Sequence, residues 1–139
     1  MIVLDTNVVS ELMKSAPDAA VAHWIAGHQA TTLYTTSITQ AEVLHGILLL
    51  PSGKRRAALE AAAEAMFDKD FGGRVLPFGA DAARAYAQIA SQRRHSGRPI
   101  STFDAQIAAI TRVARAAVAT RNVDDYDDCG IKVMNPWDA

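Results

Sequence analysis

The chain has 139 residues, room for one domain on a scale of about 100–200 residues each; half are hydrophobic and 21% charged, the balance of an ordinary globular domain. Its 14 Lys and Arg against 15 Asp and Glu exclude a strongly basic nucleic-acid wrapper, and the single Cys129 excludes an internal disulfide framework and fits a reducing compartment. No apolar run approaches the roughly 20 residues of a membrane span, and Met1-Ile2-Val3-Leu4-Asp5 reads as a strand and not a signal peptide, so a cytoplasmic protein with no membrane partner is expected.

Ile2-Val3-Leu4 is apolar throughout, which suits a strand buried on both faces, and it ends abruptly in Asp5-Thr6-Asn7. A helical stretch runs to Met13 and breaks near Pro17. Asp18 can cap a second helix carrying Val21, Trp24 and Ile25, which ends at Gly27. Residues 32–35 read as the second strand. Ser37 or Thr39 opens a helix whose Val43, Leu44, Ile47 and Leu48 form an apolar stripe, stopped by Pro51 and Gly53. An alanine-rich helix over 56–67 and a short strand over 74–78 follow. Asp81 opens a long helix to His95, and another covers 102–115. Residues 116–120 give a fourth strand and 131–133 a weak fifth. Strands alternating with helices imply βαβ units. The expected fold is α/β: one three-layer α/β/α domain over residues 1–139, with a mainly parallel sheet of four or five strands.

Charge is unevenly placed. Lys54-Arg55-Arg56 and Arg93-Arg94-His95 with Arg98 are basic clusters that read as solvated faces, while Asp124, Asp125, Asp127 and Asp128 crowd one stretch. His23, His28, His45 and His95 show no paired metal-ligand spacing. Gly46 fits close helix packing, with substrate access as the alternative.

In open parallel sheets, sites form beyond the carboxyl ends of the strands. The first strand ends in Asp5-Thr6-Asn7 and the fourth in Thr120-Arg121-Asn122. Glu42 and Asp104 lie at the starts of apolar helices, at the same edge. Asp5, Glu42 and Asp104 can therefore converge from three distant segments. Converging carboxylates repel, and a hard divalent cation, Mg²⁺ or Mn²⁺, relieves that repulsion while activating water toward a phosphodiester. Each acid also has a plain structural role open to it. Thr39-Gln40-Ala41-Glu42 fits a capping box, Ser101-Thr102-Phe103-Asp104 its acidic variant, and Asp5 can cap the helix after it.

Four stretches in order carry a family resemblance. They are Leu4-Asp5-Thr6-Asn7-Val8-Val9-Ser10-Glu11-Leu12, Ser37-Ile38-Thr39-Gln40-Ala41-Glu42, Asp104-Ala105-Gln106-Ile107-Ala108-Ala109 and Ala119-Thr120-Arg121-Asn122. Together they resemble the successive signatures of PIN-domain proteins, over essentially the whole chain. Gly73-Arg74-Val75-Leu76-Pro77-Phe78, Tyr86-Ala87-Gln88-Ile89 and the ending Asn135-Pro136-Trp137 resemble, more narrowly, the FitB-like branch of VapC toxins.

The resemblance implies a metal-dependent endoribonuclease toxin of a type II toxin–antitoxin pair. Asp5, Asp104 and Glu42 would hold Mg²⁺ or Mn²⁺, and Asn122 would join them in the catalytic set where many relatives carry a fourth acid. Thr6, Asn7, Thr120 and Asp125 would orient these groups from behind, and Arg121 would hold RNA phosphate, with a solvated arginine as the alternative. The implied partners are an RNA substrate, a cognate antitoxin, a second copy in a homodimer, and operator DNA only through the antitoxin. Two rival readings remain at this point. One is a catalytically weak PIN-fold binding subunit that acts with antitoxin on DNA. The other is a haloacid-dehalogenase-like phosphatase with Asp5 as nucleophile, in which Asn7 replaces the expected second acid.

Overall fold

Five short strands form one sheet in the order β3-β2-β1-β4-β5, and every neighbouring pair runs parallel. They are β1 (Ile2–Leu4), β2 (Leu33–Thr36), β3 (Val75–Leu76), β4 (Ala117–Ala119) and β5 (Lys132–Met134). The computed structural model describes residues 1–139. The helices are α1 (Thr6–Leu12), α2 (Ala19–Ala26), α3 (Ser37–Leu48), α4 (Lys54–Ala65), α5 (Ala80–His95) and α6 (Thr102–Val113).

Alternation along the strands divides the core in two. Leu4 and Ala119 face a cluster with Val8, Val9, Trp24, Val43 and Phe67, from α1 to α4 and the turn that follows. Val3 and Val118, their immediate neighbours, face Ala85, Ile89, Ile107 and Ile110 of α5 and α6 on the opposite side. Successive side chains point to opposite faces of a strand, so an uninterrupted apolar triplet is what a doubly covered strand requires. The expected α/β/α layering is present, with all five strands paired.

The helix boundaries depart from the sequence reading in informative ways. The cap of α3 is Thr36, whose Oγ1 accepts from the Thr39 N–H at 3.1 Å. Thr39 and Glu42 therefore lie inside the helix, and the capping-box role read for Glu42 is not taken up. Val43 and Ile47 are buried as expected, but Leu48 is 53% exposed. The alanine-rich helix begins at Lys54 and runs on into a wider π turn over Met66–Asp70. Gly46 is exposed, and a Cβ built there meets nothing within 4 Å, so close packing does not explain it. Trp137 packs its ring against the first core cluster. No helix is long and apolar enough to cross a membrane.

The central strand fixes where a site can form. From β1 the chain passes to β2 and β3 on one side, then returns through α5 and α6 to β4 on the other. Connections diverge at the carboxyl ends of β1 and β4, the usual place for a crevice in such sheets. Leu4 is in register with Ala119, and the Asp5 N–H donates to the Ala119 carbonyl at 3.1 Å. Asp5 and Thr120 are thereby placed side by side.

Candidate active site

Asp5 is the most deeply set of the acids, with 4% of its surface exposed. It caps α1, one carboxylate oxygen accepting from the Val8 N–H at 3.2 Å. Burial pushes its pKa up to about 6; the Thr120 hydroxyl and the Val8 and Asn7 N–H groups work against that rise, and the negative charge of Asp104 adds to it. The capping role and a place in the site therefore coexist at Asp5.

Asp104 lies in the first turn of α6, its N–H bonded to the Ser101 side chain at 3.2 Å. Ser101 thus caps α6, which is one half of the acidic capping box; the return bond from the Ser101 N–H to the Asp104 carboxylate is not formed. Burial raises its pKa, the Ser101 contact opposes the rise, and Asp125 pushes it further up. Half-buried Glu42 faces α1, where its Oε1 accepts from the Thr6 hydroxyl at 2.7 Å; that hydroxyl is also 3.2 Å from Thr39 Oγ1.

Tyr126 shows that these acids share one neighbourhood. Its phenol is 2% exposed and stands 3.5 Å from an Asp104 carboxylate oxygen, which it can reach as donor. Burial first, then the charges of Asp5, Asp104, Glu42 and Asp125, hold the phenol in its protonated form. Those four acids come from four separate segments. Nothing in the sequence reading pointed to Tyr126; its position directly after Asp124-Asp125, beyond β4, was the available signal.

Proximity stops short of a closed cage. No three His, Cys, Asp or Glu side chains are grouped tightly enough to hold one metal ion. The carboxylate oxygens are instead bonded locally, Glu42 to Thr6 and Asp5 to Val8. The donor set still fits a hard cation. Mg²⁺ takes one or two carboxylates and keeps several waters, and a buried, charge-repelled pair such as Asp5 and Asp104 favours that charge.

The remaining expected residues lie at the rim. Thr120 is fully buried, accepts from the Asn122 N–H at 3.0 Å and touches Asp5 through its hydroxyl. The main chain of Asn122, and not its amide, is therefore what connects to the acids. The Asn122 and Asn7 side chains line a small cavity with Lys14, Arg121 and Trp137, where the Arg121 guanidinium sits 5.2 Å from the Trp137 ring centre. Asp124 and Asp125 are exposed. The largest cavity, about 800 Å³, runs between α1, α3 and α4; it opens at Thr6 and Glu42 and is floored by Met13, Val43, Ile47 and Leu59.

Arg93 corrects the reading of its cluster as a solvated face. It is 5% exposed, and its Nη1 donates to the carbonyls of Asp125 at 3.0 Å and Asp127 at 2.8 Å. Its Nε donates to the Arg98 carbonyl at 2.7 Å. Arg98 in turn pairs with Asp127 at 3.0 Å and Asp128 at 2.8 Å. The second basic cluster thus ties down the acidic stretch that carries Tyr126.

With this geometry in place, the comparison with known proteins decides the family. The PIN domain family model matches residues 2–129. The chain belongs to the PIN domain family. Among its relatives, a VapC ribonuclease of Sinorhizobium fredii is 43% identical over 138 residues, covering 99% of both chains. The toxin FitB of Neisseria gonorrhoeae is 36% identical over 137 residues, again covering 99% of each. The FitAcB crystal structure from Neisseria gonorrhoeae superposes over 100% of both chains with a TM-score of 0.93 and 36% identity. DNA-bound VapBC from Salmonella typhimurium, at 22% identity and a TM-score of 0.79 over 97% of each chain, shares the PIN fold. The family match replaces the dehalogenase-like reading of Asp5.

Proposed function

We propose that this PIN domain, taken as one unit over residues 1–139, is a Mg²⁺- or Mn²⁺-dependent endoribonuclease, the toxin of a type II toxin–antitoxin pair. The observation that carries the reading is buried Asp5 at the carboxyl edge of the sheet, followed directly by Thr6 bonded to Glu42, with Asp104 3.5 Å from the buried Tyr126 hydroxyl. Full-length similarity to a VapC ribonuclease and to FitB supports it.

Asp5 and Asp104, with Glu42, would hold the cation, which supplies charge neutralisation and Lewis acidity toward water and a phosphodiester. The chain's own groups set the carboxylates. The Thr120 hydroxyl, fixed by the Asn122 N–H, holds Asp5; the Thr6 hydroxyl holds Glu42; the Tyr126 hydroxyl holds Asp104. Asn122 serves this reading through its main chain, Asn7 and Asp125 shape the rim, and Arg121 draws RNA phosphate toward it. The apolar floor of the large groove suits a segment of a cognate antitoxin, which would cover the Thr6–Glu42 end of the site. FitAB and VapBC relatives have been seen as complexes bound to DNA, which supports operator binding through the antitoxin. A homodimer in the cytoplasm completes the proposal, and sedimentation of the purified chain tests its dimeric part.

The deciding experiment incubates purified, antitoxin-free protein with total RNA in Mg²⁺, in Mn²⁺ and in EDTA, beside Asp5→Asn. Discrete fragments that need metal and disappear in the variant are expected. Intact RNA in every lane, from folded protein that binds metal, would overturn the enzyme and favour the binding subunit. A graded result is expected behind the carboxylates. Thr120→Val and Tyr126→Phe each remove one hydroxyl and should slow cleavage about 10- to 100-fold, as lost outer hydrogen bonds do at metal sites. Asn122→Ala keeps its N–H and should stay within about 3-fold of wild type, well below that range. Single-turnover rates on one mapped RNA check all three.

A further inference from the structure

Beside the acids, on the α6 side of α3, lies a hollow of about 280 Å³ lined by Ala41, Glu42, His45, Gly46 and Phe103. Phe103 is 52% exposed, although it immediately precedes Asp104. His45 is exposed as well, so two rings border one open space that has Glu42 in its wall. Gly46 leaves the space clear. A helix-interior glycine costs stability relative to alanine, and here a Cβ would meet nothing within 4 Å, so packing does not call for it.

We propose that this hollow is a nucleobase subsite, in which a base of single-stranded RNA flanking the cleaved phosphate stacks on Phe103 above Gly46. This rests on the ribonuclease reading. Stacking on an exposed aromatic ring is the sequence-tolerant way in which proteins grip unpaired bases. Two neighbours set the register. Asp104 follows Phe103 in the chain and Glu42 walls the hollow, so a base stacked here leaves its phosphate at the acids. The larger groove meets the hollow along Glu42 and Gly46 and extends away from it toward α1 and α4; it has an apolar floor and no exposed aromatic ring, which suits a peptide better than a base.

The test uses the Asp5→Asn protein, so that RNA stays intact, with single-stranded oligoribonucleotides of about ten residues containing 2-aminopurine. Phe103→Ala in that background should weaken binding roughly 5- to 100-fold, the range that stacking on one ring supplies, and should reduce the fluorescence quenching. Phe103→Trp should restore both. In the active protein, Phe103→Ala should raise KM and leave kcat nearly unchanged. Unchanged affinity in Phe103→Ala overturns the subsite. So does a change in sedimentation with RNA binding intact, which would make this face a contact between copies. If the unsubstituted chain neither binds nor cleaves RNA, the ribonuclease reading falls together with the subsite. If it cleaves and Phe103→Ala binds normally, the subsite alone falls.

Discussion

Replacing Asp5 by Asn is expected to abolish RNA cleavage and, in metal-free protein at neutral pH, to raise thermal stability. The carboxylate is buried, and its pKa rises from 3.8 to about 6 on folding. Below pH 3.8 the group is protonated in both states and contributes nothing. Between pH 3.8 and about 6 the unfolded chain releases the proton while the folded chain keeps it. The native state then binds more protons, so stability falls as pH rises through that window. Above about pH 6 the full penalty applies, about 3 kcal/mol at 1.36 kcal/mol per pH unit.

An amide at this position carries no charge, and it still caps α1 through its carbonyl oxygen. Asp5→Asn should therefore gain about 2–3 kcal/mol over wild type at pH 7.5 in EDTA, and almost nothing at pH 3.5. In melting temperature that is roughly 5–10 °C for a chain of this size. Urea denaturation of both proteins at the two pH values measures the difference. Equal stability at pH 7.5 would mean that Asp5 is neither as dry nor as repelled as its setting requires. Added Mg²⁺ should stabilise wild type at pH 7.5 clearly more than Asp5→Asn, which keeps Asp104 and Glu42 but has lost the most deeply buried of the three carboxylates. A residue that gives up fold stability for charge placement is expected where function and packing compete.

The neighbourhood of Asp5 and Thr120 was legible because it follows from the sheet. A wholly apolar triplet such as Ile2-Val3-Leu4 has no stable place except under helices on both faces, and polar residues at its end must emerge at the carboxyl edge. Asp104 was legible as a helix-start acid for the same reason, whereas Glu42, read in the same way, lies past the first turn of α3. Less was visible in how each is held. Thr36 and Thr39 both offer a hydroxyl near the start of α3; which one caps depends on where the backbone leaves the strand, and pattern alone does not place that break. Pairing of Glu42 with Thr6 joins side chains 36 positions apart, beyond any local periodicity. The carboxylates also appeared in the sequence as a set of three, whereas in the fold each is bonded first to its own surroundings. Arg93 was misread because its partners are main-chain carbonyls. Any residue offers one, so no pattern of side chains marks a guanidinium that binds them.

That same feature makes Arg93 the second site of large expected effect. It is a buried cation outside all four of the fold's salt bridges, solvated by the carbonyls of Arg98, Asp125 and Asp127. Arg93→Met keeps the length of the side chain and removes every donor, leaving those carbonyls without their charged partner. Hydrogen bonds to charged groups contribute about 1.5–3 kcal/mol each, so a loss on the order of 3–5 kcal/mol is expected after relaxation. Its exposed neighbour supplies the control: Arg94→Met should change stability by about 0.5 kcal/mol or less. Arg93→Lys retains a charge that can reach some of the carbonyls and should recover part of the loss, which gives a folded protein for kinetics.

In that protein the Asp125–Cys129 stretch is held less firmly, and Tyr126 with it. If Arg93 acts through Tyr126 on Asp104, the cleavage defects of Arg93→Lys and Tyr126→Phe should not add. The double variant should then be no slower than the worse of the two single ones. Additive losses in log rate would instead show that Arg93 reaches the acids by a route that does not pass through Tyr126. A rate equal to wild type in Arg93→Lys would confine Arg93 to holding the fold.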